Sequence, residues 1–194
     1  TLFPYTTLFR SAWALQAVQR MPLRRRLICW DFKHDPRLKG VGADVRSVPG
    51  LARAMMAPTF QLRYLVDHDA DIAMQFDYFC AAAWEAGNVL MLVDELPEVT
   101  RPGRAPLLWR KCINVGRQYA DPKTGRLKTL AIIGMAQRPA EVDKSFISNL
   151  DVTHVGRLGE KADALEMAGK LGVRWEELTT LENLSWIEKR AGQI

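Results

Sequence analysis

The chain has 194 residues, 48% of them hydrophobic and 25% charged, with a formal net charge of +5. That is enough for one substantial core, and it excludes a disordered or low-complexity chain. No stretch approaches the ~20 apolar residues that cross a bilayer, and the excess of 27 Lys and Arg over 22 Asp and Glu permits a polyanionic partner without singling one out.

The first elements divide the chain unequally. Residues 1–11, TLFPYTTLFRS, resemble the conceptual translation of a sequencing adapter oligonucleotide and are set apart from a single domain over residues 12–194. Residues 12–21 are rich in helix formers, with Trp13, Ala14, Ala17 and Val18 on one face, and Pro22 stops them. After Arg24, Arg25 and Arg26 comes a short apolar run, residues 27–30, closed by the polar cluster 31–36. It reads as a buried strand with polar residues at its carboxyl end.

Residues 48–56 open on a proline-glycine turn and continue as a short helix, and residues 60–66 alternate as a strand. Residues 71–86 carry Ile72, Ala73, Phe76, Phe79, Cys80 and Ala83 at helical spacing, with Gly87 and Asn88 as the stop. An all-apolar strand, residues 89–93, runs into Asp94 and Glu95. A proline-rich loop leads to a helix over 107–119, a turn at 121–125 and a strand over 129–135 that ends in Ala136-Gln137-Arg138-Pro139. Residues 139–149 read as helix, 151–158 as a last strand and 161–171 as a helix. Apolar strands alternating with helices imply an α/β three-layer sandwich, a mostly parallel sheet with helices on both faces.

Minor features read as structural. Cys29, Cys80 and Cys112 have no CxxC spacing and are expected in the core, which suits a reducing cytoplasm. His34, His68 and His154 lack ligand spacing, and the acidic run Asp67, Asp69, Asp71 reads as a loop and helix cap. Trp84, Trp109, Trp175 and Trp186 are expected in helices, as core or interface residues.

In an open parallel sheet the ligand lies beyond the carboxyl ends of the strands, so Asp31, Asp94, Glu95, Gln137 and Arg138 are the candidate site residues. An apolar strand followed by Asp-Glu has the Walker B form: the first carboxylate holds nucleotide-bound Mg²⁺, usually through water, and the second activates the attacking water. On that reading Asp94 serves the metal and Glu95 is the general base. Asp31 is assigned to cofactor binding with Asp94.

Residues 129–139, TLAIIGMAQRP, resemble the segment of FtsK/HerA-type ATPases in which the strand beside Walker B ends in Gln-Arg-Pro. Asn114-Val115-Gly116-Arg117 looks like the family's Gly-Arg before that strand. Asp31-Phe32-Lys33-His34-Asp35 looks like its Asp-Pro-Lys-Gly-Asp, with Phe32 and His34 in place of Pro and Gly. With the region of Asn149-Leu150-Asp151, Arg157-Leu158 and Asp163, the resemblance covers nearly all of residues 12–194.

The resemblance implies a RecA-like domain using ATP and Mg²⁺, with Gln137 reaching toward the terminal phosphate and its water. It implies a cytoplasmic, DNA-handling homo-oligomer, a hexameric ring, in which Arg117, Arg138 or Arg157 stabilises transition-state charge in a neighbouring subunit. It also exposes a gap. GxxxxGK[ST] does not occur, so the phosphate-binding loop and its strand are expected upstream of residue 12 and the 194 residues are expected to be inactive by themselves. Two other functions fit: an ATP-binding assembly protein of the same fold, of the kind used in filamentous-phage morphogenesis, and a generic α/β binding domain in which Asp94 and Glu95 merely cap a strand.

Overall fold

The computed structural model describes residues 7–192. In chain order its helices and strands are α1 (Thr7–Arg20), β1 (Arg26–Asp31), β2 (Ala43–Val45), α2 (Val48–Ala54), β3 (Phe60–Leu65), α3 (Ile72–Ala86), β4 (Val89–Val93), α4 (Leu96–Val99), α5 (Leu107–Val115), β5 (Tyr119–Ala120), β6 (Leu127–Lys128), β7 (Leu130–Gly134), α6 (Lys144–Ser148), β8 (Val152–Gly156), α7 (Lys161–Leu171), α8 (Trp175–Thr180) and β9 (Trp186–Arg190). Five strands form one sheet in the order β2-β3-β1-β4-β7, every pairing parallel.

Alternation along the strands separates two cores. Ile28 and Trp30 of β1 and Val89, Met91 and Val93 of β4 point to the face covered by α2, α3, α5, α6 and α7. Leu27, Cys29, Leu90 and Leu92 point to the other face, where Ala14 and Val18 of α1 and Leu38 and Val41 of the 3-10 turn after β1 cover them. The central strands β1 and β4 are therefore buried on both faces, which is why they read as apolar runs.

The connections follow one rule. Those that step toward β7 (through α2, α3 and α5) cross the first face, and the step from β1 away to β2 crosses the second. Helix face and step direction reverse together, as right-handed crossovers require.

Burial pushes the thiols of Cys29 and Cys80 well above their ordinary pKa, and Asp31 and Asp94 add to this at Cys29; all three cysteines are buried and free, as core residues.

Several expected elements change. The helix expected at 107–119 ends at Val115, and Tyr119 pairs in the β5–β6 hairpin. The helix expected at 139–149 is split into a 3-10 turn, Pro139–Glu141, and α6, because Asp143 caps a new start by accepting from the backbone N–H groups of Ser145 and Phe146. The last strand, β8, is not in the parallel sheet; it pairs antiparallel with β9, and Trp186 lies on that strand and is exposed rather than helical. The helix expected at 12–21 begins earlier, at Thr7, inside the residues set apart above.

Gly134, at the end of β7, marks a close approach. A Cβ there meets Leu96 Cδ1 at 2.3 Å and the Phe146 ring at 2.8 Å. Gly134→Ala is expected to cost about 1–3 kcal/mol by overpacking, measured as a lower urea midpoint, because Leu96 follows Glu95 directly and has little room to move.

Candidate functional site

The carboxyl edge of the sheet collects the polar residues. Asp94 continues β4 by donating its N–H to the Trp30 carbonyl at 3.0 Å. Glu95 then turns the chain with φ 49° and ψ 58°, a left-handed conformation uncommon for a residue with a Cβ. Leu96 N–H reaches back to the Met135 carbonyl at 2.9 Å. That bond fixes the turn against the end of β7. Both carboxylate residues are buried, Asp94 at 1% and Glu95 at 4% relative exposure.

The pairing of β4 with β7 brings Gln137 to the same place: its Nε2 donates to Glu95 Oε1 at 3.1 Å. The same oxygen accepts from Lys33 Nζ at 2.8 Å. Lys33 was not among the candidates from sequence. It arrives because β1 lies beside β4 in the sheet, an adjacency that motif spacing does not carry.

Asp31 is placed differently from Asp94. Its side chain is fully buried; Oδ2 accepts from Arg63 Nε at 2.7 Å and Oδ1 from the Asp35 N–H at 3.0 Å. Arg63 also donates to Asp44 and to the Asp35 carbonyl. Burial pulls the pKa of Arg63 down, but the hydrogen bond and charge of Asp31, with Asp44, outweigh it and leave the guanidinium raised. The carboxylate of Asp31 is thus committed to the loop over residues 31–35. Ser11 Oγ donates to Asp35 Oδ2 at 3.0 Å and ties α1 to that loop.

Histidines brace the same edge. His34 Nε2 lies 2.7 Å from the Val66 carbonyl and His68 Nε2 2.8 Å from that of Phe32, so each loop after β1 and β3 holds the other. Asp71 caps α3 through the Met74 N–H, as the acidic run suggested. Among the described residues there is no group of three His, Cys, Asp or Glu that could hold a metal ion unaided. Asp94 presents hard oxygen donors, the kind that suit a cation completing its coordination with water.

The arginines separate. Arg138 stands beside Gln137, but its Nε donates to Asp163 Oδ2 at 2.8 Å and its guanidinium is half-exposed; the hydrogen bond and charge of Asp163 raise its pKa. Arg117 lies at the opposite end of β7, where Leu130 N–H bonds the Gly116 carbonyl, and it pairs with Asp151 at 2.7 Å. The five residues of β7 span roughly 16 Å, so Arg117 cannot join Glu95 within one chain. Arg157 follows β8 and is exposed.

Next to β7 is a gap. A cavity of about 240 Å³ runs between its outer edge and the start of β8, lined by Cys112, Leu130, Ile132, Phe146, Leu150 and Val152 among others.

The same architecture occurs in solved proteins. The genome packaging NTPase B204 of Sulfolobus turreted icosahedral virus 2, solved with AMPPCP, superposes with a TM-score of 0.72 at 13% identity, over 97% of this chain and 90% of that one. The pCW3 conjugation coupling protein TcpA, solved with ATPγS, gives 0.56 at 14% identity, over 99% of this chain and 56% of that one. The chain has a RecA-like α/β fold. In sequence, Protein P9 of Pseudoalteromonas phage PM2 is 23% identical over 163 residues, 82% of this chain and 69% of its own length. No protein-family model matches the chain. No helix among the described residues is long and apolar enough to cross a membrane.

Proposed function

We propose that the chain is the Walker B portion of an ATP-hydrolysing motor of the FtsK/HerA kind that packages or translocates DNA. The observation that carries this reading is the Glu95 carboxylate, buried at the carboxyl edge beside Asp94 and hydrogen-bonded to Gln137 from the adjoining strand. A positive φ at a buried Glu is the kind of strain that persists where geometry serves function. Asp94 would hold Mg²⁺ through water, a role its hard oxygen donors fit. Glu95 would take the proton of the attacking water, and Gln137 would keep that carboxylate and the water in line. The bound Mg²⁺ would neutralise charge on the phosphates.

Asp31, by its partners, would position the loop over 31–35 rather than touch the nucleotide. Arg117, at the far edge, would serve only a neighbouring subunit of a ring, and Arg157 shares that role as an exposed alternative; Arg138 would have to leave Asp163 to do so. The likeness to a viral genome packaging NTPase, to a conjugation coupling protein and to a phage protein supports DNA as the partner and a virus or conjugation system as the setting. A cytoplasmic location follows from that role.

The phosphate-binding loop would come from upstream sequence. By the crossover rule, a strand feeding α1, which covers the second face, lies on the β7 side of β1. Positions there are filled by β4 and β7, and the next is the gap between β7 and β8. Such a strand would end at the carboxyl edge beside Gln137, with β7 between it and Asp94, and the N-terminus of α1 would face the phosphates.

The 194 residues by themselves are therefore expected to bind Mg-ATP more weakly than about 1 mM, whereas the protein carrying its own upstream sequence binds it saturably. Calorimetric titration of both forms is the test, and tight binding by the 194 residues alone would sink the proposal.

A further inference from the structure

Positive charge collects at the amino edge of the sheet, opposite the site. Arg24 and Arg25 lie in the 3-10 turn that enters β1, Lys123 and Arg126 in the turn between β5 and β6, and Arg20 ends α1; all are exposed. Among the described residues none of these cations pairs with a carboxylate. The acids nearby are already engaged, Asp121 with Lys128 and Asp151 with Arg117, which leaves Glu85 exposed among them. The helix dipole accounts for Arg20, in the last turn of α1. It does not account for the other four.

Hydrogen bonds join the loops of this edge into one surface. Gln61 Nε2 donates to the Arg24 carbonyl at 2.9 Å, and the Arg26 guanidinium to the carbonyls of Pro58 at 2.9 Å and Gly87 at 3.3 Å. Lys128 Nζ reaches the Glu85 carbonyl at 2.6 Å and brings in the β5–β6 hairpin. That hairpin is braced in turn: Tyr119 stacks on Trp84 at 3.8 Å and donates its hydroxyl to the Trp84 carbonyl. At its tip Asp121 accepts from the N–H groups of Lys123 and Thr124, and Gly125 turns with φ 68°.

Two pairs of cations are therefore held at a set separation. β4 lies between β1 and β7, so the two strand entries stand two inter-strand steps apart, roughly 10 Å. That is close to the major groove of duplex DNA, about 12 Å wide, whose phosphates line both rims. An anionic membrane surface attracts each Lys or Arg alike and makes no use of fixed spacing.

We propose that this edge is a sequence-independent contact for the phosphate backbone of duplex DNA, with Arg24 and Arg25 on one rim of a groove and Lys123 and Arg126 on the other. This rests on DNA as the partner, as read above. Nucleotide and DNA then meet opposite ends of the same strands, and β1, β4 and β7 connect them.

The test follows a short fluorescent duplex by anisotropy across a salt series, with the protein carrying its own upstream sequence. Arg24→Gln/Arg25→Gln and Lys123→Gln/Arg126→Gln each weaken binding roughly ten- to hundredfold at about 0.1 M salt and flatten the slope of log affinity against log salt by about 2, one unit per lost phosphate contact. The loss is the same on unrelated sequences, and Arg24→Lys/Arg25→Lys recovers most of it because the charge is kept. Arg101→Gln/Arg104→Gln, on the exposed turn after α4, stays within twofold. ATP hydrolysis without DNA stays within twofold of the parent in every variant, as changes on an outer surface require. Unchanged salt slopes in both amino-edge pairs, a larger loss from the Arg101 and Arg104 pair, or lost binding to phosphatidylserine vesicles with DNA binding retained would each overturn the contact. A parent that hydrolyses ATP but binds no duplex would instead overturn DNA as the partner.

Discussion

Glu95→Gln, in the protein carrying its upstream sequence, is expected to lower ATP hydrolysis by about 10²- to 10⁴-fold, the range for removing a positioned general base, and to leave nucleotide affinity within a few-fold. The substitution keeps shape and volume. Gln137 Nε2, now 3.1 Å from a carboxylate oxygen, can still donate to an amide oxygen at the same point, so the turn at residue 95 and its bond from Leu96 to Met135 are retained. What is lost is the charge that pairs with Lys33 and the ability to accept a proton from water. A drop in kcat without a matching rise in KM is the signature of an interaction made in the transition state alone. Hydrolysis within threefold of the parent would leave Glu95 as a strand-end residue with no chemical part in the reaction.

Arg63→Met should produce the largest loss of stability. Arg63 is 4% exposed and Asp31 fully buried, 2.7 Å apart. Removing the guanidinium leaves a carboxylate in the interior without its counter-charge, a change that costs about 3–5 kcal/mol. Urea unfolding followed by far-UV circular dichroism measures it.

The companion variant Arg63→Met/Asp31→Leu separates the cause. Replacing both charges recovers part of the loss. It cannot recover all of it, because the Asp35 N–H and carbonyl lose the partners that Asp31 and Arg63 supply. A single-variant cost below about 1 kcal/mol would mean that water reaches Asp31 and that the pair is not truly buried. The consequence extends to function: the loop over 31–35 carries Lys33, and loosening it moves the ammonium off Glu95.

The chain itself determined where the strands lie and what stands at their ends. Unbroken runs such as Val89–Val93 are written by burial on both faces of a sheet, and that signal is local. So is the short polar stretch that follows each run. Asp94, Glu95, Gln137 and Arg138 were therefore legible as residues of one edge, and α3 and α7 were legible from apolar spacing and their caps.

What the residues could not state was who neighbours whom. Periodicity reports that a strand is buried and is silent about its partner, since parallel pairing joins segments tens of residues apart. The adjacency of β1 and β4 brought Lys33 onto Glu95, 62 residues away. The adjacency of β1 and β3 brought Arg63 onto Asp31, 32 residues away, a partner that the motif around Asp31 does not announce. Strand direction placed Arg117 at the amino end of β7, although its motif directly precedes the strand. β8, expected as a further strand of the sheet, pairs antiparallel with β9 instead, because the residues of a short strand do not specify its partner. Local chemistry decided which groups are present, and the packing of distant segments decided which of them meet.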